Sequence, residues 1–222
     1  MLNNKLQGKI LVFEGIDGSG KATQANLFFQ WVKQQGIKVK KIDFPRYKTN
    51  FFGRFLKKCL TGKHGDFLKT DPYLASLPFA LDRMESKKTI LAWQAKEYLI
   101  IADRYSSSNK IHQGGKIKTK QELKKFFAWL TELENRVLGI PKSDLNIYLQ
   151  VRPQTAYRLL KGGQDQHEKS LEHLINAQKV LELIVQTEPN WLTINCEKQG
   201  QLLSRRQIAS DIRQQLAQAL GF

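Results

Sequence analysis

Six residues, Lys9 to Glu14 (KILVFE), pass straight into the turn GIDGSGKATQ, Gly15 to Gln24, and then into a helical pattern that holds to Gln35. A continuous apolar run of strand length, a glycine-rich turn and a helix is the order that a phosphate-cradling loop requires. In such a loop successive backbone N–H groups point inward, the helix adds its positive end, and a lysine reaches the terminal phosphates. Gly15, four intervening residues, Gly20 and Lys21 have that spacing, with Gly18 and Ser19 between them. The next position calls for a Ser or Thr whose hydroxyl touches magnesium, and here it is Ala22, with Thr23 one residue later. Asp17 is the other oddity. A carboxylate inside an anion cradle repels phosphate, so it is expected to face away, toward a sugar hydroxyl, an amine or a metal.

The rest of the chain repeats the strand-then-helix rhythm. Strands are expected at Lys38–Asp43, Tyr98–Tyr105, Asp144–Val151 and Trp191–Cys196. Helices are expected at Phe51–Leu60, Pro72–Lys96, about Thr119–Leu138, on either side of KGGQDQ, and from Ser204 to Leu220. Nearly all the strands read as apolar on both faces, which argues for an α/β domain: a five-stranded parallel sheet with helices on both faces. Ligands of such sheets sit beyond the carboxyl ends of the strands. That rule sets Gly15–Lys21, Asp43–Tyr47 and Asp103–Tyr105 along one edge.

A chain of 222 residues suits one such domain, and 41% hydrophobic with 25% charged residues is ordinary for a folded protein. No apolar run approaches the roughly 20 residues of a membrane helix. The start, MLNNKLQGKI, lacks a signal-peptide core, and Cys59 and Cys196 form no metal-spaced pair. A cytoplasmic protein with free thiols, no membrane partner and no metal-binding cysteine site is therefore expected. The net charge of +16 raises nucleic acid as a partner. Its clusters, KVKK at Lys38–Lys41 and KIKTK at Lys116–Lys120, are short and interrupted by apolar residues, so nucleic acid is not expected.

Asp103, at the carboxyl end of a buried strand, can bind or orient a nucleotide's magnesium, directly or through water. Arg104 beside it can grip a phosphate. Arg83 on a helix and Phe44, Arg46 and Tyr47 after the second strand add donors for phosphate and rings for a base.

The motifs FEGIDGSGK and TQ, FPRY, FALDR, and DRY followed two residues later by SN stand in the order and approximate spacing of the thymidylate kinases, and the chain resembles that family from Phe13 to about Glu172. The resemblance implies a P-loop kinase fold with a short lid at about residues 158–168, a homodimer, and phosphoryl transfer from ATP to dTMP with Mg2+. It assigns ATP to Gly15, Asp17, Gly18, Ser19, Gly20, Lys21, Ala22 and Thr23, with Arg158 and Lys161 from the lid. It assigns dTMP to Asp17, Phe44, Arg46, Tyr47, Phe79, Arg83, Arg104, Ser108, Asn109 and His112. Phe79 stacks on the base, Arg83 contacts it, Arg46 and Arg104 take the monophosphate, and Asp17 meets the 3′-hydroxyl. Lys21, Asp103, Arg104 and Asp17 form the catalytic set, and Asp103 and Asp17 hold the metal, partly through water and the nucleotide phosphates. Asp165 and Glu168 match an acidic pair after the lid. Three departures stand out: Ala22, a histidine at 112 where a sugar-facing tyrosine is expected, and a lid whose cations are Arg158 and Lys161 alone. Two alternatives remain beside this reading. One is a kinase for another nucleoside monophosphate, separable by acceptor competition. The other is a decayed kinase fold that binds nucleic acid, separable by salt-sensitive DNA binding without turnover.

Overall fold

The computed structural model describes residues 5–160 and 170–220. Five strands, β1 (Ile10–Glu14), β2 (Val39–Asp43), β3 (Leu99–Asp103), β4 (Leu145–Gln150) and β5 (Trp191–Asn195), form one sheet in the order β2-β3-β1-β4-β5. Every neighbouring pair is parallel. β1 lies in the middle and is buried along its whole length, because alternate side chains enter two different cores. Ile10 and Val12 join Ile42, Ile90, Ile100 and Ala102 on one face. Leu11 and Phe13 join Phe28, Phe126, Leu149 and Leu181 on the other.

The α-helices among the described residues are α1 (Lys21–Gln34), α2 (Phe51–Leu60), α3 (Pro72–Ala95), α4 (Ser106–Gly114), α5 (Lys120–Thr131), α6 (Pro153–Leu159), α7 (Leu171–Thr187) and α8 (Arg205–Leu220). α2 has the bounds that the sequence pattern predicts. α3 starts where Pro72 fixes the first turn and Asp71 accepts from the amides of Tyr73 and Leu74.

Four features differ from the sequence expectation. The edge strands are not apolar on both faces: in β2 only Ile42 is buried, and Lys40 and Lys41 occupy the solvent edge. The strand expected over Tyr98–Tyr105 stops at Asp103, because Arg104 turns into the left-handed region at φ 64°. α4 follows at once, a helix that the sequence pattern does not predict, since SSSNKIHQG is polar and rich in weak helix formers. The helix expected over Thr119–Leu138 is α5 only to Thr131 and then widens into a π turn, Glu132–Val137. A small hairpin, β6 (Glu197–Lys198) with β7 (Gln201–Leu202), also goes beyond the expectation. Gln199 and Gly200 both take positive φ in its two-residue turn. Both cysteines are buried and free.

The register levels the carboxyl ends of the central strands: Asp103 of β3 lies opposite Phe13 of β1 and Asp43 of β2. The phosphate loop, the FPRY loop and the DRY turn therefore leave the sheet side by side. No helix among the described residues is long and apolar enough to cross a membrane.

Candidate active site

The glycine-rich loop leaves β1 and wraps the start of α1. Gly20 is the N-cap in a left-handed conformation, φ 85°, and no side chain caps the helix. The first-turn amides are thus left to an external anion. Gly18, φ 83°, lies so close to the C-terminal half of α6 that a Cβ would stand 2.3 Å from the Ala156 carbonyl oxygen. Lys21 Nζ donates to the Ile16 carbonyl at 2.8 Å and lies 3.9 Å from Asp17 Oδ1. Burial, reinforced by Arg104, lowers its pKa to about 8. Asp17 forms an ion pair with Arg104. Its charge is therefore matched by two cations, Arg104 and Lys21, which offsets its repulsion of an anion in the loop. A cavity of about 220 Å³ runs along this loop, lined by Asp17, Gly18, Gly20, Lys21, Ala22, Thr23, Asp103 and Arg104.

A larger cavity of about 380 Å³ adjoins it, within the range of sites that enclose small molecules. Phe44, Pro45, Tyr47 and Leu60 form one wall, Phe79 and Arg83 of α3 a second, and Ser108, Asn109, His112 and Gln113 of α4 a third. Asp17, Ala22, Asp103 and Arg104 line both cavities, so the two volumes meet at those four residues.

The acceptor-side walls are cross-braced. The Phe44 amide bonds to the Asp103 carbonyl at 3.0 Å, and the Phe44–Pro45 peptide is cis. Asp82 accepts from the Arg46 amide at 2.9 Å, while Asn50 Nδ2 reaches the Asp82 carbonyl at 2.7 Å. Glu85 takes the amides of Phe51 and Phe52, both at 2.8 Å, and so closes the start of α2. Glu14, fully buried, explains why so polar a segment as α4 is helical. Its Oε1 accepts from the hydroxyls of Ser107 and Ser108 at 2.7 and 2.8 Å and from the Tyr105 amide at 3.3 Å. A carboxylate at that end favours the helix.

Two arginines line the larger cavity in different ways. Arg104 is held by Asp17 and by His112 Nε2, which lies 2.8 Å from its Nη1. Because a guanidinium only donates, that histidine nitrogen is the acceptor. His112 Nδ1 lies 3.1 Å from His173 Nε2 of α7, and the two rings stack at 5.4 Å. Burial pushes the His173 pKa down to about 4. Arg83, 2% exposed, forks onto Glu134 of the π turn, with Nε to Oε2 at 3.0 Å and Nη2 to Oε1 at 2.6 Å. Asp103 has its pKa raised by burial, against the pull of Lys21 and Arg104.

A sequence profile described as thymidylate kinase matches residues 13–208. The thymidylate kinase of Plasmodium falciparum is 29% identical over 169 residues, 76% of this chain and 74% of that one. That of Mycobacterium tuberculosis is 30% identical over 153 residues, 69% of this chain and 71% of that one. The Danio rerio enzyme is 26% identical over 192 residues, 86% and 84% of the two chains. The chain belongs to the thymidylate kinase family. A thymidylate kinase structure from Candida albicans superposes with a TM-score of 0.78, covering 96% of this chain and 92% of that one; at 21% identity it bears on the fold alone. The activity that goes with the family is ATP-dependent phosphorylation of dTMP, and this chain is a kinase of that kind. Neither alternative, another monophosphate as acceptor or a decayed nucleic-acid binder, finds support among these relatives.

Nine of the ten residues expected around dTMP line the larger cavity: Asp17, Phe44, Tyr47, Phe79, Arg83, Arg104, Ser108, Asn109 and His112. Arg46 does not; its amide is tied to Asp82 and its side chain is not in the lining. On the ATP side Asp17, Gly18, Gly20, Lys21, Ala22 and Thr23 line the smaller cavity, while Gly15 and Ser19 are buried beneath it. Arg158 is an exposed residue of α6, 3.4 Å from Thr155 Oγ1. Lys161, Asp165 and Glu168, and with them most of the expected lid, lie outside the described residues. Sequence reasoning missed Glu14, Glu134, His173 and Gln113. Gln113 is fully buried against the cavity, with neither end of its amide paired among the described residues. Glu14 left one trace, a lone acid closing an otherwise apolar run; the others left none.

Proposed function

We propose that the smaller cavity takes the phosphates of ATP and the larger one takes dTMP, with the γ-phosphoryl passing to the 5′-phosphate at the junction. One observation carries this division: Asp17, Ala22, Asp103 and Arg104 line both volumes, so a phosphate from each side can meet there. Phosphoryl transfer asks little covalent work of a protein and much positioning and charge. The loop amides and the start of α1 hold the β and γ phosphates, and Lys21 leaves the Ile16 carbonyl to follow the charge that moves onto the transferring oxygens. Arg104, steadied by Asp17 and His112, orients the acceptor phosphate. Phe79 covers the base, Arg83 and Asn109 address its edge, and Asp17 receives the 3′-hydroxyl.

Mg2+ fits this donor set. Asp103 is a partly desolvated carboxylate open to both cavities, Asp17 is beside it, and among the described residues no cluster of three or more possible ligands exists. Hard oxygen ligands, few from protein and the rest from phosphate and water, are what magnesium uses. Asp103, with Asp17 second, would hold it, and it would neutralise charge between the β and γ phosphates. The protein is further proposed to be cytoplasmic and to form a homodimer, with Phe51 and Phe55 of α2 and Leu91 of α3 as exposed apolar side chains for a second copy to cover.

A coupled assay with magnesium-ATP and dTMP, dUMP, UMP and dGMP in competition tests the reading. Preferred turnover of dTMP is expected. Preference for a purine or ribose acceptor, or no turnover at all, would overturn it.

A further inference from the structure

We propose that Glu134 is a positioning residue that decides which pyrimidine the acceptor cavity takes. The inference rests on the reading of that cavity as the dTMP site. Glu134 is not in the lining of that cavity; it acts through two side chains that are.

Glu134 is 2% exposed, and its carboxylate accepts three hydrogen bonds: from Arg83 Nε at Oε2, and from Arg83 Nη2 and Asn109 Nδ2 at Oε1, the last at 2.9 Å. The fork uses Nε–H and one of the two N–H groups of Nη2, so the donors Arg83 has left for the cavity it lines are on Nη1 and Nη2. Asn109 is constrained more tightly. Its Nδ2 gives one N–H to Glu134 and the other to the Ser76 carbonyl at 3.2 Å. Carboxylate and carbonyl only accept, so the amide cannot be turned around, and Oδ1 is the atom Asn109 offers the cavity.

The wall therefore presents a donor from Arg83 beside an acceptor from Asn109. Thymine and uracil present the complement, the O4 acceptor beside the N3–H donor. Cytosine presents the reverse, an amino donor beside an unprotonated N3, and would leave both protein groups facing like groups. The π turn serves this arrangement. The Leu138 amide bonds to the Leu133 carbonyl at 2.9 Å, five residues back, and this widened turn sets the residues after Thr131 in a different rotation from a continued α-helix. Glu134 enters the core between α3 and α4, while its neighbours Glu132 and Arg136 stay exposed.

The test is Glu134→Gln, whose Nε2 must face either Arg83 or Asn109 and so breaks up the arrangement of three donors on one carboxylate. Values of kcat/KM for dTMP, dUMP and dCMP are measured at saturating ATP, beside KM for ATP and the melting temperature. The dTMP:dCMP ratio is expected to fall on the order of tenfold or more. The dTMP:dUMP ratio and KM for ATP are expected to stay within about twofold, because uracil shares thymine's edge and ATP lies elsewhere. Equal loss for all three acceptors would mean a structural role only and would sink the proposal. If Gln leaves Arg83 without a counter-charge and the variant does not fold, Glu134→Asp keeps the charge but withdraws the oxygens by one methylene, and the same shift is expected. Wild-type protein that shows no preference for dTMP would instead defeat the functional reading; wild-type preference with an unchanged dTMP:dCMP ratio in the variants defeats only the role of Glu134.

Discussion

The two cavities that meet at Asp103 are built by opposite means. The donor side is main chain: glycines at positive φ, the first amides of α1, and one lysine, formed by consecutive residues and open along its length. The acceptor side is side chains, drawn from the FPRY loop, α3 and α4, several of them buried and braced by Asp82, Glu14 and Glu134. The difference suits the two substrates. A polyphosphate is read by charge and needs little shape, whereas a base is read by an oriented edge and needs neighbours that hold each donor and acceptor still. A change on the donor side should therefore cost activity without stability, and a change on the acceptor side should cost both.

Lys21→Ala is the sharpest break on the donor side. Turnover is expected to fall on the order of 1,000-fold, the scale of a lost donor that strengthens in the transition state. Burial depresses the lysine's pKa, so its charge does not favour the folded state at neutral pH. The melting temperature should stay within a few degrees of wild type, and a large drop would show that the cradle is part of the core. Asp103→Asn belongs with it, at about 100-fold in turnover, for a carboxylate lost at the junction.

Arg83→Ala breaks the other side. It strands the buried Glu134 carboxylate, and removal of one partner from such a pair costs about 3–5 kcal/mol, which in a domain of this size lowers the melting temperature by roughly 10 °C. KM for dTMP should rise by about tenfold or more while KM for ATP changes little. Thermal melts with steady-state kinetics on both substrates decide it. A selective rise in KM for ATP would put Arg83 on the wrong side.

What was legible in the sequence follows the same division. Gly15 to Lys21 is contiguous, its strand and helix are adjacent, and its spacing is imposed by phosphate, so one window carried nearly all of the donor side. The sheet was legible because its central strands are buried on both faces, and α2 because its apolar face repeats regularly. The acceptor side was legible only where a motif marks it. Arg83 and Glu134 are 51 residues apart, and Glu14 and Ser108 are 94 apart. Nothing in the local pattern of either partner announces the other. α4 escaped for a related reason: its helicity depends on a carboxylate at the end of β1, not on its own propensity. The π turn escaped because Lys120–Val137 reads as one amphipathic helix until its hydrogen bonds are seen.

A pH titration tests the donor side at a smaller scale. Phosphate binding needs the charged lysine, and in the free protein burial sets the Lys21 pKa at about 8. The value of kcat/KM for ATP should therefore fall as pH rises past about 8, by about tenfold per unit at the limit, whereas kcat at saturating ATP should hold to higher pH because bound phosphate favours the ammonium. The fall is not unfolding. A base whose folded pKa is lowered binds fewer protons folded than unfolded between about 8 and 10.5, so its contribution to stability improves as pH rises through that window. A parallel loss of kcat and kcat/KM would place the titrating group elsewhere.

The smallest effect is expected from Ala22→Ser, which restores the hydroxyl that a phosphate loop ordinarily carries. Ala22 is the first residue after the lysine, exposed, and in the lining of both cavities, so a serine there meets no packed neighbour. A magnesium ion keeps several waters and leans on phosphate oxygens, and one water can stand where the hydroxyl would, provided a carboxylate orients it. Asp103 is level with the loop across β1 and β3 and open to both cavities, and Asp17 is beside it, so that carboxylate is already in place. Ala22→Ser should therefore lower the magnesium concentration for half-maximal rate by no more than about threefold, with kcat nearly unchanged. Initial rates across a magnesium titration, with Asp103→Asn measured beside it, give the answer. A gain of about 100-fold in the serine variant would mean that the natural loop holds its metal poorly and that Asp103 does not compensate for the missing hydroxyl.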